Sequence, residues 1–340
     1  LVSFIDLGPT VLSLAGVKPP DYMHGRAFMG EHEAPPHEYL HGFRGRMDER
    51  YDTIRSVRDK RYVYLRNYTP HVPHGQHVRY MFQTPTTAAW KKLNDEGKLT
   101  PQQAYFWQPK ATEELYDLQT DPDEVTNLAN SPTHQDVLQR LRKAQQSLSL
   151  QIRDIGFLPE AEIHRRSQGS SPYEVAHDDR RYPLKRIMAT AEQASSLTPE
   201  TLAELKKAFQ DTDSAVRYWA VMGVLMRGTS AVESAHAELL NALTDGSPSV
   251  RIVAAHALGQ FGSDADLQRA LPVLLDYAHY DRHGLYLSLQ ALNALDALGR
   301  KAASAVETIK ALPRQPREHE KRHGYGIAPL VERIMANLQR

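Results

Sequence analysis

Across residues 131–155 the apolar positions Val137, Leu141, Ala144, Leu148, Ile152 and Ile155 recur at intervals of three and four. That spacing predicts one buried face of a long amphipathic helix. Ser131 followed by Pro132 supplies its start, a side-chain oxygen for the cap and then a ring with preset φ. Upstream the period shortens to two. Residues 53–57 and 62–68 are rich in β-branched and aromatic side chains, and the charged run Arg58-Asp59-Lys60-Arg61 separates them, which predicts a hairpin. Residues 114–118 alternate in the same way and predict another strand. A short helix is expected over 3–16, with Val11, Leu12, Leu14 and Ala15 as its buried stripe, Pro9 in its first turn and Gly16 at its end. Pro19 and Pro20 then force an extended path. Residues 71–83, rich in Pro, His, Gly and Gln, read as a loop, while 88–96 and 101–106 are short helical candidates.

From Pro183 onward the pattern is helical throughout. The run Asp211-Thr212-Asp213-Ser214-Ala215-Val216-Arg217-Tyr218-Trp219-Ala220 is echoed by Asp245-Gly246-Ser247-Pro248-Ser249-Val250-Arg251-Ile252-Val253-Ala254, an offset of 34 positions (245 against 211). A weaker third copy ends at Leu298-Gly299, against Phe261-Gly262. Paired helices repeating at this period predict an α-solenoid, in which each unit buries its face only against the next. The Val-Arg pairs and small alanines resemble HEAT repeats, including those found in bilin lyases. Trp219, Tyr218, Arg217 and Arg251 read as packing and inter-repeat residues, with partner binding as the alternative. Residues 160–182 are polar and aperiodic, which reads as a linker.

Charge narrows the choice of partner. Lys and Arg number 41, Asp and Glu also 41, so no global field favours nucleic acid or an anionic membrane. No apolar run reaches the roughly 18 residues of a membrane span. There is no cysteine, which removes disulfides and thiolate metal sites from consideration.

Two motifs carry a family resemblance. Val2-Ser3-Phe4-Ile5-Asp6-Leu7-Gly8-Pro9-Thr10-Val11-Leu12 with Ala15-Gly16 is similar to the helix that closes the large α/β domain of sulfatases. Glu114-Leu115-Tyr116-Asp117-Leu118 through Asp121-Pro122-Asp123-Glu124-Val125-Thr126-Asn127-Leu128-Ala129 resembles the last strand and turn of that family's small C-terminal domain. The stretch Ile54-Arg55-Ser56-Val57 to Asn67, with Gln76, Phe82-Gln83 and Trp90, is similar to the heparan N-sulfatase (sulfamidase) branch. The resemblance covers residues 1–158. It implies an α+β sulfatase C-terminal subdomain, an antiparallel sheet with a packing helix, followed by an all-α HEAT-like solenoid. The expected division is 1–30 for the end of the α/β domain, 31–158 for the subdomain, 159–182 for the linker and 183–340 for the repeats.

Sulfatases of this type use a formylglycine made in a C/S-x-P-S-R motif, which this sequence does not contain. Leu1 is no natural start, and apolar positions begin as though a fold were under way. The chain is therefore expected to be the rear part of a larger sulfatase acting on sulfate esters or N-sulfate of a carbohydrate. The resemblance implies Ca²⁺ in the parent enzyme with every ligand before Leu1, no catalytic or metal residue here, and a periplasmic or extracellular setting. The alternative is a non-catalytic interaction scaffold built on the repeats, with a protein partner there. A third option is a phosphodiesterase of the wider alkaline-phosphatase-like superfamily.

Three groups of polar residues invite a chemical reading. Asp117, Asp121 and Asn127 offer oxygen ligands suited to Ca²⁺, yet turn and cap roles use each of them without a metal. His71, His74 and His77 sit three apart around Pro73 and Gly75, which gives no single helical face on which to converge on zinc. They read as a cleft-rim loop, with contact to an anionic substrate as the sharper reading. The cluster Arg44, Arg46, Asp48, Glu49 and Arg50, ahead of Arg55 and Arg58, is the most pointed. Guanidinium groups bind sulfate and carboxylate bidentately, and the resemblance implies that this segment faces the substrate cleft. A solvated hairpin of mixed charge is the bland alternative. The candidate substrate residues are thus Arg44, Arg46, Asp48, Glu49, His74 and His77.

Overall fold

Helix α1 (Leu7–Leu14) follows a single 3-10 turn at Phe4–Asp6 and is closed by Gly16 at φ +71°. Its covered side is not the expected one. Val11 is 64% exposed and Leu14 59%, whereas Asp6, Thr10 and Ser13 are buried. These three lie one helical turn apart and act as acceptors. Asp6 Oδ1 takes the Arg26 amide at 2.8 Å, Thr10 Oγ1 the Phe28 amide at 3.1 Å, and Ser13 Oγ the His32 amide at 2.8 Å. The 23–34 segment belongs to no strand, so its amides need partners from side chains. That demand, and not apolar burial, sets which face of α1 turns inward.

The structure, a computed structural model, describes residues 1–314 and 326–338. The chain continues through β1 (Leu40–Arg44), β2 (Ile54–Arg58) and β3 (Tyr62–Asn67), then two short helices, α2 (Pro85–Asp95) and α3 (Pro101–Ala104). It resumes as β4 (Glu113–Asp117) and α4 (Gln135–Gln151). The strands form one sheet in the order β1-β2-β3-β4, and β3 and β4 are antiparallel with Tyr64 opposite Leu115. The predicted hairpin is β2–β3, and its turn is tied by the Asp59 amide to Tyr62 O at 3.0 Å. The inward side chains Val57, Tyr64 and Leu115 pack with Leu138 and Leu141 of α4 and with Ala129. Val137, Ala144 and Leu148 flank that core. The helix ends earlier than its apolar spacing suggested, because Ile155 belongs to a separate 3-10 turn.

The chain divides into two compact units that are not consecutive stretches. The first contains Leu1–Phe43, Ile54–Arg66 and Glu113–Ile152; the second contains Arg44–Thr53, Asn67–Thr112 and Arg153–Arg340. In the second unit the expected linker is structured: α5 (Glu160–Arg166) and α6 (Pro172–Ala176) occupy it, with Glu162, Val175 and Tyr182 buried. Its order comes from polar pairing, which hydrophobic periodicity does not register. Glu162 accepts from Arg165, Arg166 and Ser247.

Helices α7 (Leu184–Ser196), α8 (Thr201–Ala208), α9 (Ser214–Arg227), α10 (Thr229–Ser234), α11 (His236–Ala242), α12 (Pro248–Phe261), α13 (Asp264–Tyr277), α14 (Tyr280–Leu298), α15 (Val306–Lys310) and α16 (Ile327–Leu338) follow. The helical run expected to residue 340 includes 315–325 and 339–340, which lie outside the described residues. Helix α9 packs on α7, α12 on α9 and α13, and α14 on α12 and α16. The small residues permit close approach: a Cβ on Gly223 of α9 would meet Leu205 at 2.7 Å and the Ala194 Cα at 3.0 Å. The repeat motif recurs as geometry. Asp211 Oδ1 accepts the Asp213 amide and Asp245 Oδ1 the Ser247 amide, both at 2.7 Å. Arg217 joins one repeat to the next through a bidentate pair with Asp245 at 2.7 and 2.8 Å.

Candidate functional site

The signature after β4 is a closed set of local hydrogen bonds. Asp117 accepts both arms of Arg61, at 2.9 and 2.6 Å, and this pairing is the main reason its carboxyl is held down to about 2. Asp121 accepts the amides of Val125 at 3.0 Å and Thr126 at 2.7 Å. Asn127 Oδ1 takes the Leu115 and Ala129 amides at 3.0 and 2.9 Å, and its amide nitrogen donates to Glu113 O. Asn127 therefore stands in for a fifth strand along the open side of β4. The turn-and-cap reading accounts for all three residues. Among the described residues no group of three or more His, Cys, Asp or Glu side chains is placed to hold a metal ion.

The segment Arg44–Thr53 lies within the second unit, and its side chains face particular partners there. Arg46 binds Glu160 through Nε at 2.5 Å and Nη2 at 3.2 Å, and its guanidinium lies 5.8 Å from the Tyr286 ring. Its Nη1 donates to the carbonyl of Asp48, which sits at φ +47°. Glu49 is buried; its carboxylate accepts the Arg79 amide at 2.8 Å and its carbonyl accepts Asn293 Nδ2 at 2.7 Å. Arg50 reaches Asn293 at 2.9 Å, Asp296 at 2.7 Å and His77 O at 2.8 Å. Arg44 lies 3.5 Å from Asp52, whose buried carboxylate also holds Lys110 Nζ at 3.0 Å.

His77 stacks near Phe82 with ring centroids 4.1 Å apart, and burial, with Arg333 and Arg50 nearby, pushes its imidazole down to about 4. His74 lies beside Tyr105, centroids 6.0 Å apart. His71 is pushed down to about 3, chiefly by burial and then by His256 and Lys110. The three histidines therefore have different surroundings. Of the six candidates, His77 accepts from Arg50 and Glu49 shares its partner Asn293, Arg46 and Asp48 meet beside Glu160, Arg44 belongs with the Asp52–Lys110 pair and His74 with Tyr105. Arg55 is buried in β2, and Arg58 is exposed at the hairpin turn. The acceptors Glu160, Asn293 and Asp296 were not singled out in the sequence, where nothing local marks them.

Residues 202–296 match the HEAT repeat family model. Beyond that class, the chain is similar to two curated relatives from Formosa agariphila, each called an ulvan-active sulfatase. One is 41% identical over 180 residues, covering 52% of this chain and 30% of the relative. The other is 31% identical over 157 residues, covering 42% of this chain and 28% of the relative. This chain thus spans less than a third of the length of either relative.

Proposed function

We propose that this chain is the C-terminal part of a sulfatase that removes sulfate, ester- or N-linked, from a sulfated carbohydrate. The 41% identity over 180 residues to an ulvan-active sulfatase carries this reading, and it makes ulvan the first substrate to assay. The outward face of α1 gives physical support. Phe4, Ile5, Leu7, Val11 and Leu14 are each 46–91% exposed within a dozen residues. A contiguous apolar surface of this kind marks a face built to be covered, and in this reading the enzyme's α/β domain covers it.

Under the proposal, the formylglycine and the Ca²⁺ ion implied by the resemblance sit on residues outside this chain, and the setting is periplasmic or extracellular. A divalent cation at such a site stabilises charge developing on sulfate oxygens. The chain's own contribution is to hold substrate. Arg44, Arg46, Asp48, Glu49, His74 and His77 are the candidate cleft residues, and cations such as Arg44 recognise the anionic sugar.

The test is to extend the reading frame, look for C/S-x-P-S-R upstream, and assay both the longer protein and the 340-residue chain. The longer protein is expected to release sulfate from ulvan or an aryl sulfate, and the chain alone is not. Sulfate release by the chain alone, or an upstream frame without the motif, overturns the reading. The match of residues 202–296 to HEAT repeats favours a second reading, a non-catalytic scaffold. A start codon directly before Leu1 would select it.

A further inference from the structure

On the helical-repeat unit lies a cavity of about 390 Å³, and five of its ten lining residues are arginines: Arg165, Arg166, Arg180, Arg181 and Arg217. Only one lining residue, Asp213, is acidic. Two of the arginines are scaffolding. Arg166, 9% exposed, grips Asp213 at 2.9 and 3.0 Å and also donates to Ser214 Oγ at 2.9 Å, while Arg217 is committed to Asp245. The carboxylates that fix them, Glu162, Asp213 and Asp245, are only 2–12% exposed.

The other three arginines are the ones a ligand meets. Arg181 donates to two neutral oxygens, Arg166 O and Ser170 Oγ. Arg165 is 57% exposed and leans on Glu162; Arg180 is 97% exposed, with Asp178 4.0 Å away. Behind them the first turns of two 14-residue helices, α9 and α12, reach the cavity through Ser214 and Ser247. The amide end of α9 is capped by the Asp213 carboxylate, so it is the end of α12, where Ser247 makes no side-chain cap bond, that adds positive potential to that of the guanidinium groups.

We propose that this cavity is a non-catalytic site for the sulfate groups of a polysaccharide, which it holds on the helical arm while cleavage occurs elsewhere. The choice of ligand rests on the sulfatase reading above and on the lining itself. Arg, Thr, Asp, Ser and Gly make up all ten positions, with no apolar or aromatic side chain. Protein interfaces set their arginines beside buried aromatic anchors, and this cavity has none. A sulfated sugar is polar on every side and presents oxyanions to guanidinium forks.

The experiment measures binding of the 340-residue chain to dextran sulfate, dextran, polygalacturonate and sodium sulfate at physiological ionic strength. Dextran sulfate is expected to bind, dextran not to bind, and sodium sulfate alone to bind far more weakly than the polymer. Arg165→Gln with Arg180→Gln should weaken dextran sulfate binding about tenfold, the loss of two exposed charged contacts. Arg181→Gln should weaken it further. Unchanged binding by both variants overturns the proposal, as does equal affinity for polygalacturonate, which would point to an acidic protein segment or any polyanion. Hydrolysis of a small aryl sulfate by the longer enzyme does not involve this cavity. Its loss would defeat the sulfatase reading, while its persistence without polymer binding would defeat this one.

Discussion

The sheet region and the helical-repeat region treat polar groups in opposite ways. In the first, polar side chains replace missing backbone: Asn127 closes the open side of β4, and Asp6, Thr10 and Ser13 of α1 receive the amides of a loop. In the second, apolar surface dominates. Helix α12 buries Val250, Ile252, Val253, Ala254, Ala255, Ala257 and Leu258, and the imidazole of His256 is kept neutral among them, pushed down to about 4 by burial. Polar side chains thus complete missing backbone in the sheet region, whereas between packed helices they are kept where a partner holds them, as Asp245 holds Arg217.

The largest loss of stability is expected in the repeats. Trp219→Ala removes the largest fully buried side chain of the described residues, along with its 2.8 Å bond to Phe157 O and its edge contact with Tyr68. Roughly 3–5 kcal/mol of stability should be lost. All three tryptophans, Trp90, Trp107 and Trp219, lie in the second unit, so denaturation of the variant followed by fluorescence of the remaining two reads that unit alone. Lys110→Met comes next, at about 3 kcal/mol, because it strands the buried Asp52 carboxylate. Asp52 keeps hydrogen bonds from Thr69 and Thr53, which holds the loss toward the lower end.

Acid should separate the regions. His71 and His256 are neutral in the folded chain, at about 3 and about 4, against an ordinary value of 6.5. Below pH 6.5 the unfolded chain binds protons that the folded chain does not, so their contribution is complete above 6.5 and drains away as pH falls toward 4. Asp117, depressed from 3.8 to about 2 by Arg61, keeps its contribution until pH falls below 3.8. Tryptophan fluorescence should therefore lose its native signal at a higher pH than hydrogen-exchange protection is lost at the Leu115 amide. The reverse order would dissolve the distinction drawn here.

Within the sheet region, Asn127→Ala should cost about 2 kcal/mol, since it leaves the Leu115 amide without its acceptor. The smallest effect is expected for Arg140→Ala. Its pair with Asp59 at 2.6 Å is 43% exposed on the arginine side, and its removal should lower the unfolding free energy, measured by denaturant titration, by no more than about 0.5 kcal/mol.

What the sequence made legible follows the distance over which residues act. The Asp121 and Asn127 roles were readable because their partners lie within five and fourteen positions. The hairpin and the repeats were readable because a period declares itself locally. Helix α1 was placed correctly and its buried face was not, since spacing says which residues share a face but not what that face meets. Residues 160–182 passed for a linker because Arg166 finds Asp213 47 positions away. The partners of the candidate site were further still, with Arg50 and Asn293 separated by 243 positions.

That last separation has a consequence in time. A ribosome adding about 5–20 residues each second needs on the order of ten to fifty seconds to travel from Arg50 to Asn293. For most of that interval Arg50 has emerged without its side-chain acceptors Asn293 and Asp296, although β2, β3 and β4, which follow it in the chain, can already pair. The second unit therefore cannot close in the order in which it is made, and its earliest strand of chain must wait for one of its last helices.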